Sequence, residues 1–306
     1  MRILFAGTPE VTIPALEWIQ ASNHDLVAVL TRPAAAQGRS SELIDSPVAK
    51  FAIENKINVF TSLAELRSEK ILESVDLVVV IAYGKLIPEE LLKIPKHGWI
   101  NVHFSILPKY RGAAPVQRAI WNGEEESGIS IFQLDAGMDT GPIFAQQTVS
   151  IFNMESAGEC LKIMSEMVPN LLSETLVNIE KLGKPSPQPK EGSTLAPKIE
   201  KSESVINWNG SASSIRNMVR AMNPAPRAKT TFRENDLFIY EVEVSEIPST
   251  KPVGTISFVN QILYVATGDF DLEIVKVQSA GKKVISGSEW GRGYQVKDDP
   301  TENKYV

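Results

Sequence analysis

The chain has 306 residues, of which 43% are hydrophobic and 22% charged, with a net charge of −6. The length favours two domains, and the composition excludes general disorder. No apolar run reaches the roughly 18 residues of a membrane span, and the single Cys160 excludes an internal disulfide. We therefore expect a soluble, cytoplasmic protein with no membrane partner and no structural metal.

The first half of the chain alternates short apolar runs with amphipathic segments. Strands are predicted at 2–6, 25–31, 57–60, 75–82, 98–103 and 127–134, and helices at 11–19, 46–56, 88–93 and 114–122. The run 75–82 is apolar on both faces, as a central strand of a parallel sheet must be. The pattern predicts an α/β fold: a Rossmann-like, mostly parallel sheet with helices on both faces.

The second half begins with a long helical segment and ends in a series of short strands. A helix is predicted at 156–181, with a kink or break at Pro169, and another at 212–222. Strands at 237–244, 254–258, 261–267 and 272–278 have the spacing of a small, OB-like β-barrel. We predict a catalytic domain at 1–182, a linker rich in Lys, Pro and Ser at 183–206, and the barrel domain at 207–306.

Three polar residues near predicted strand ends are candidates for chemistry. Asn101 and His103 share one face of the strand 98–103, and Asp139 lies in a glycine-flanked loop after a later strand. An amide and an imidazole together can polarise a carbonyl and stabilise an oxyanion. A carboxylate near His103 would raise the pKa of the imidazole or collect a proton through water. Taken alone, the histidine is also compatible with a satisfied core or surface group, and Asp139 with a simple turn.

The sequence around these residues carries a longer motif. It reads Asn-Val-His-Phe-Ser-Ile-Leu-Pro-Lys-Tyr-Arg-Gly-Ala-Ala-Pro-Val-Gln from residue 101 to 117, and Gln-Leu-Asp-Ala-Gly-Met-Asp-Thr-Gly from residue 133 to 141. This set resembles the signature of 10-formyltetrahydrofolate-dependent formyltransferases. The extension 111–117, the opening Phe-Ala-Gly-Thr-Pro at 5–9 and the second domain resemble the members that act on methionyl initiator tRNA.

The resemblance implies roles for individual residues. Asn101, His103 and Asp139 align with the catalytic triad of the family, and Ser105, Ile106, Leu107 and Pro108 align with its folate-binding segment. The implied reaction is attack of the methionyl amine on the formyl carbon of 10-formyltetrahydrofolate. Asn101 and protonated His103 would stabilise the oxyanion, and Asp139 would keep His103 charged. The donor would be a co-substrate, with no permanently bound cofactor and no metal.

A nicotinamide dinucleotide is not expected. The turn at Gly7 is not a G-x-G-x-x-G loop, and no well-placed acidic residue closes the second strand.

The predicted RNA contacts are uneven along the chain. Arg39 remains in the loop that is rich in basic residues in the relatives, but Ser41 and Glu42 stand where a basic pair is usual, so this loop should hold RNA less tightly. In the second domain, the candidate phosphate ligands are Arg216, Arg220, Arg227 and Lys229. Neither half is basic by net charge, and a charge run is also compatible with a merely solvated face.

Two other functions stay open from the sequence. One is a folate-dependent transferase acting on a small amine, such as glycinamide ribonucleotide or an amino sugar nucleotide. The other is a non-catalytic relative that binds folate or RNA. The oligomeric state is not determined by the sequence, and a monomer is the expectation.

Overall fold

A computed structural model of the chain describes residues 1–36, 42–152, 154, 156–294 and 305. Arg39 and Ser41 therefore lie outside the described residues. The chain divides by packing into two compact units. The first unit contains Met1–Pro115, Glu126–Ser150 and Leu161–Pro197, and the second contains Val116–Glu125, Ile151–Cys160 and Lys198–Val306.

The strands and helices follow one another in this order along the chain. The strands are β1 (Arg2–Gly7), β2 (Asp25–Leu30), β3 (Ala35–Ala36), β4 (Leu43–Ile44), β5 (Asn58–Phe60), β6 (Leu77–Ile81), β7 (Trp99–His103), β8 (Glu126–Gln133), β9 (Ile143–Ser150), β10 (Ala228–Phe232), β11 (Asn235–Pro248), β12 (Ile256–Val259), β13 (Ile262–Val265), β14 (Phe270–Ser279) and β15 (Ile285–Ser286). The α-helices are α1 (Ile13–Ala21), α2 (Pro47–Glu54), α3 (Leu63–Ser68), α4 (Glu89–Leu92), α5 (Pro115–Trp121), α6 (Ala157–Glu180), α7 (Ala212–Met222) and α8 (Gly287–Gly293). Short 3₁₀ helices lie at Glu10–Thr12, Ile71–Ser74 and Lys201–Ser204.

The first unit is built on a seven-stranded sheet in the order β5-β2-β1-β6-β7-β8-β9. Neighbouring strands from β5 to β7 are parallel, and β8 and β9 continue the sheet in antiparallel pairing. The predicted mostly parallel sheet is thus confirmed. The edge strand β9 was not predicted from the sequence, because its residues are half-exposed and polar as often as apolar.

The centre of the sheet is buried on both faces. All five residues of β6 are buried, and Val78 and Val80 on one face join a core cluster with Leu4, Leu30 and Trp99. The residues that alternate with them in β6 are equally inaccessible. This burial explains why the run reads as continuously apolar, since a central parallel strand is covered by packing layers on both sides.

The order of the strands places a crevice at the carboxyl ends of the sheet. The chain moves from β1 outward to β2 and β5, and then returns to the other side of β1 with β6. Loops leave in opposite directions where the strand order reverses in this way, and the gap between them is the usual ligand site of such sheets.

The long helix α6 continues through Pro169. Of the predicted kink or break, the break is wrong, because α6 is one helix from Ala157 to Glu180, and the kink stays a prediction. A proline removes only one backbone hydrogen bond of the helix. The buried side chains of Met164, Val168 and Leu172 hold the turns on either side by packing, which outweighs that loss.

The second unit contains an antiparallel sheet in the order β10-β11-β14-β13-β12, with β15 paired to β14. Helix α7 begins at the Ser211 cap, whose side chain accepts a hydrogen bond from the Ser214 amide. Its buried face packs with Leu237, Ile274 and Trp290 in one hydrophobic cluster. A small β domain after the α/β sheet is therefore confirmed.

The predicted linker 183–206 is divided between the two units. Residues up to Pro197 pack with the first unit, and those from Lys198 onward pack with the second. Of the described helices, none is long and apolar enough to cross a membrane.

Candidate active site

Strand β7 ends in two polar side chains that face the same way. Asn101 and His103 are two residues apart, so the pleat places them on one face. The pairing with β8 sets Phe132 opposite Asn101 and Ser130 opposite His103. The Phe132 ring stands edge-on to the imidazole, with a centroid separation of 6.4 Å. Strand pairing and this aromatic contact fix the position of the histidine.

The two nitrogens of the His103 ring have different partners. Nε2 lies 2.8 Å from the carbonyl oxygen of Tyr110. A carbonyl only accepts hydrogen bonds, so Nε2 carries a proton and donates it to this oxygen. Nδ1 is therefore the nitrogen that gains or loses a proton. It lies 3.7 Å from Oδ2 of Asp139, which is longer than a direct hydrogen bond.

Burial lowers the pKa of His103, against smaller upward contributions from the Asp139 carboxylate and the Tyr110 carbonyl. The side chain is only 6% exposed, so the cost of removing the charged ring from water dominates. The Asp139 carboxylate thus acts in the upward direction expected of it, but burial outweighs it and the net shift of the pKa is downward. A neutral His103 leaves the lone pair of Nδ1 free to accept a proton.

Asp139 is positioned by its own backbone conformation and by one hydrogen bond from a neighbouring loop. It adopts a left-handed conformation with φ of 54°, and its Oδ2 accepts a hydrogen bond of 2.8 Å from the Gly112 amide. Gly112 has φ of +127°, and a Cβ there would lie 2.6 Å from the Ala196 carbonyl oxygen. Only glycine fits this close approach, which explains the glycine of the sequence motif.

The Asn101 side chain is half-buried and, within the part of the chain that the structure describes, makes no hydrogen bond. Its carboxamide offers two N–H donors. The three predicted residues thus comprise an adjacent pair, His103 and Asp139, and a neighbouring amide on the same strand face as the histidine.

The predicted folate-binding segment forms a tight, buried turn after β7. Its polar groups are satisfied internally: the Ser105 hydroxyl donates to the Lys109 carbonyl at 2.7 Å, and the Ser105 carbonyl accepts from the Ser130 hydroxyl at 2.6 Å. Leu107 and Pro108 are buried, and only Ile106 is half-exposed. Contact between this segment and folate stays a prediction.

A cavity of about 710 Å³ lies in the first unit. Its walls include residues 95–98, directly before β7, and residues 133–136, at the end of β8 and the start of the loop that leads to Asp139. The cavity therefore lies beside the start of β7, at the opposite end of that strand from His103. The end of α6 and the residues after it close another side. The predicted folate-binding residues do not line this cavity. Among the described residues, no group of three or more His, Cys, Asp or Glu side chains is arranged to hold a metal ion.

Three of the predicted RNA-binding cations lie in the second unit with partners of their own. Arg216 faces Glu243 at 3.5 Å, and Lys229 faces Asp236 at 2.9 Å. The Arg227 guanidinium donates to the Gln278 side chain and stacks over the Phe238 ring. All three side chains remain half-exposed, so phosphate oxygens can compete for them.

Arg220 has a different environment from the other three. It is 8% exposed, and its guanidinium donates to the backbone carbonyls of Ile151, Phe152 and Met154 at 2.7–3.3 Å. These bonds join α7 to the segment that precedes α6. The guanidinium of Arg220, a predicted phosphate ligand, therefore already forms hydrogen bonds to the backbone of its own unit.

Sequence reasoning missed the contribution of residues 186–196 to this site. The Thr194 hydroxyl accepts a hydrogen bond from the Tyr110 amide, and the Gln188 side chain contacts both Arg111 and the Asp139 loop. The composition of the segment is typical of a linker, and its hydrogen bonds are long-range, so no local pattern could reveal them.

A parallel sheet that ends in an amide, a buried imidazole and a carboxylate defines a site for acyl transfer to an amine. The chain belongs to the formyl transferase family, whose model matches residues 1–176, while the model of the family's C-terminal domain matches residues 198–295.

Similar proteins cover nearly the whole chain. It is 40% identical to methionyl-tRNA formyltransferase of Salinispora tropica over 97% of this chain and 98% of that protein. It is also 40% identical to the protein of the same name from Carboxydothermus hydrogenoformans, over 96% and 97%.

Solved structures show the same fold. The methionyl-tRNA formyltransferase of Clostridium thermocellum matches with a TM-score of 0.59 at 19% identity, covering 94% of this chain and all of that one. HypX from Aquifex aeolicus, in complex with tetrahydrofolic acid, matches with a TM-score of 0.66 at 18% identity. The match covers 98% of this chain but about half of HypX.

Proposed function

We propose that this enzyme transfers the formyl group of 10-formyltetrahydrofolate to the α-amine of methionyl initiator tRNA, giving the formylated tRNA that starts translation. The observation that carries the proposal is that His103 Nδ1 lies beside the Asp139 carboxylate. Asn101 lies on the same strand face as His103. The membership in the formyl transferase family supports the reaction, and the nearly full-length similarity to methionyl-tRNA formyltransferases supports the acceptor.

The amine attacks the formyl carbon, and its carbonyl oxygen becomes an oxyanion. The Asn101 carboxamide has N–H donors that no described residue occupies, so we assign it to this oxygen. A donor already in place costs no reorganisation when the negative charge develops. Removing one donor of this kind typically slows a reaction by about 10²–10³-fold.

The proton of the attacking amine has to leave as the carbon–nitrogen bond forms. Neutral His103 accepts it at Nδ1, because Nε2 is already committed to the Tyr110 carbonyl. The imidazolium formed then lies beside the Asp139 carboxylate, which stabilises the new charge. When the tetrahedral intermediate collapses, the same proton passes to N10 of tetrahydrofolate as the leaving group departs.

We propose that the folate binds at the carboxyl end of β7, beside His103, and not in the cavity of about 710 Å³, which lies at the opposite end of that strand. We propose that Ile106, the half-exposed member of the predicted folate segment, adds an apolar contact, while Ser105, Leu107 and Pro108 shape the turn.

Phosphate contacts are assigned to Arg216, Arg227 and Lys229 of the second unit. Their ion pairs and stacking contacts are half-exposed, and exposed pairs of this kind contribute at most about 1 kcal/mol. Replacing such partners with a phosphate oxygen therefore costs little free energy. Arg39 stays a predicted contact outside the described residues, and Arg220 is left out because its guanidinium is buried.

We place the reaction in the cytoplasm, where charged initiator tRNA and the ribosomes that use the product meet. We also propose that the enzyme acts as a monomer, since all three site residues come from one chain. Light scattering coupled to gel filtration tests the second statement.

The purified chain should be incubated with 10-formyltetrahydrofolate labelled in the formyl group and, separately, with methionyl initiator tRNA, methionyl elongator tRNA, glycinamide ribonucleotide and an amino sugar nucleotide. Label should appear on the initiator tRNA. Transfer to a small amine without transfer to the tRNA would refute the proposed acceptor, and no transfer to any acceptor would favour a non-catalytic binding protein.

A further inference from the structure

Residues 186–196, which we call the strap, are tied to the loops of the active site. Ser186 forms an antiparallel bridge with Ile143, and Leu195 lies in a parallel bridge with Arg111. The backbone of Arg111 donates to the Thr194 carbonyl at 2.9 Å and accepts from the Ala196 amide at 2.7 Å. The strap therefore runs alongside the turn that follows β7.

Gln188 lies near the start of the strap, and its side chain reaches two catalytic loops at once. Its Nε2 atom donates to the carbonyl oxygens of Asp139 and Gly141, each at 2.8 Å. Its Oε1 atom accepts from the Arg111 guanidinium, with distances of 2.6 Å and 3.2 Å to two nitrogens. Both donors and the acceptor of the amide are thus in use.

These partners fix which way the amide points. Arginine can only donate, so the group that faces Arg111 must be the oxygen. Backbone carbonyls can only accept, so the group that faces Asp139 and Gly141 must be the nitrogen. No other side chain of this length supplies an acceptor at one end and two donors at the other, and a carboxylate in its place would set a negative oxygen against two carbonyl oxygens.

We infer that Gln188 is a positioning residue that holds the Asp139 carboxylate at its distance from His103. The inference rests on the proposed function for its kinetic consequences, but the contact itself can be tested without any substrate. Gln188 lies between the matched ranges 1–176 and 198–295, so neither family domain includes it.

The geometry explains why the hydrogen bonds of the Gln188 amide to the Asp139 loop, which we call the clamp, are important. Asp139 has a positive φ, and its carboxylate receives one backbone hydrogen bond, from the Gly112 amide. The Gln188 amide holds the carbonyl of the same residue, so the backbone and the side chain of Asp139 are fixed from opposite ends. Without the clamp, the loop can move and carry the carboxylate away from both Gly112 and His103.

Two variants and a matched control test the inference. Gln188→Ala removes the clamp, and Gln188→Glu keeps the acceptor for Arg111 but replaces the two donors with a charged oxygen. Ser193→Asp adds the same negative charge at an exposed position of the strap and serves as the control. If Gln188→Ala does not fold, Gln188→Glu retains the Arg111 contact and carries the test.

The first measurement is hydrogen exchange at the Gly112 amide in the free enzyme. We expect exchange to accelerate by roughly tenfold in Gln188→Ala and not in Ser193→Asp, because the amide loses its Asp139 partner. Unchanged exchange at Gly112 in a folded Gln188 variant would overturn the inference whatever the enzyme's acceptor.

The second measurement is kinetic. The kcat of Gln188→Ala should fall by about ten- to a hundredfold, while KM for each substrate stays within about twofold, since a displaced carboxylate affects the reaction rather than binding. The activity of Gln188→Glu relative to the native enzyme should rise as the pH falls and the introduced carboxyl gains a proton that it can donate. A kcat within twofold of the native value, or a relative activity that does not change with pH, would contradict a positioning role. An inactive native enzyme would instead refute the proposed function.

Discussion

Nδ1 of His103 and Oδ2 of Asp139 lie 3.7 Å apart, too far for a direct hydrogen bond and close enough for strong electrostatic interaction. Nε2 of the same ring is bound to the Tyr110 carbonyl. The imidazole is thus held by a hydrogen bond at Nε2, while Nδ1 can accept a proton and lies beside a carboxylate. This arrangement suits a group that is neutral at rest and becomes charged during the reaction.

Replacing His103 with alanine should abolish formyl transfer while leaving a folded protein. The variant loses the base at Nδ1, and general acid–base groups typically contribute about 10²–10⁴-fold to a rate. Transfer to methionyl initiator tRNA should be measured with both substrates saturating, alongside urea unfolding.

His24→Asn is the control for this experiment, because His24 precedes β2 and pairs with Glu180 rather than with any site residue. It should keep the native kcat. Native activity in His103→Ala would remove the histidine from the mechanism.

The titration of His103 should show the effect of burial directly. Its pKa, followed by NMR, should lie below the ordinary value of 6.5, because desolvation outweighs the nearby carboxylate. Asp139→Asn removes an upward contribution, so the pKa should fall further. A pKa above 6.5 in the native enzyme, or a rise in Asp139→Asn, would contradict the assigned causes.

The same lowered pKa predicts a pH dependence of stability. The unfolded chain binds a proton at His103 near pH 6.5, whereas the folded chain binds it only at lower pH. The free energy of unfolding should therefore decrease as the pH falls below about 6.5, and His103→Asn should lack this part of the decrease. Urea titrations of both proteins between pH 5 and 8 measure the difference.

The central strands and the shared strand face of Asn101 and His103 could be predicted from the sequence because these features are local. A buried parallel strand such as β6 reads as an apolar run, and Asn101 and His103 are two residues apart in one motif. Long-range hydrogen bonds leave no such pattern, which is why the role of Gln188 was missed. The upward effect of Asp139 on the His103 pKa was predicted, but the net downward shift was not, because the motif reveals the charged neighbour of the ring and not the depth of its burial.

Binding of the tRNA should weaken steeply as salt concentration rises. Each phosphate that the protein neutralises releases counterions, so the slope of log K against log salt should flatten by about 0.7–0.9 for each phosphate that a variant no longer binds. Arg216→Gln and Lys229→Gln should each flatten it by this amount. Lys50→Gln, on the exposed face of α2, should leave the slope unchanged. A native affinity independent of salt would refute a phosphate-bound substrate.

Arg220→Lys should behave differently from the other cation variants. A lysine retains the charge but not the planar set of donors that reaches the carbonyls of Ile151, Phe152 and Met154. We expect a loss of about 1–3 kcal/mol in the free energy of unfolding and an unchanged salt slope at temperatures where the variant is folded. A flattened slope with native stability would restore Arg220 as a phosphate ligand.

Two buried serines of β8 provide a last test of how the turn after β7 is held. The Ser130 hydroxyl donates to the Ser105 carbonyl and accepts from the Leu107 amide and the Gln146 side chain. Ser130→Ala leaves these groups without their partner, at a cost of about 1–3 kcal/mol in urea unfolding.

The Ser127 hydroxyl is also buried but has no hydrogen-bond partner within the described residues. Ser127→Ala removes an unsatisfied polar atom from the same strand and should be neutral or stabilising. Because the turn 105–108 leads to the Tyr110 carbonyl that holds His103, Ser130→Ala should also lower kcat, whereas Ser127→Ala should not. Equal effects of the two substitutions on stability and kcat would show that the turn is held by packing rather than by the Ser130 hydroxyl.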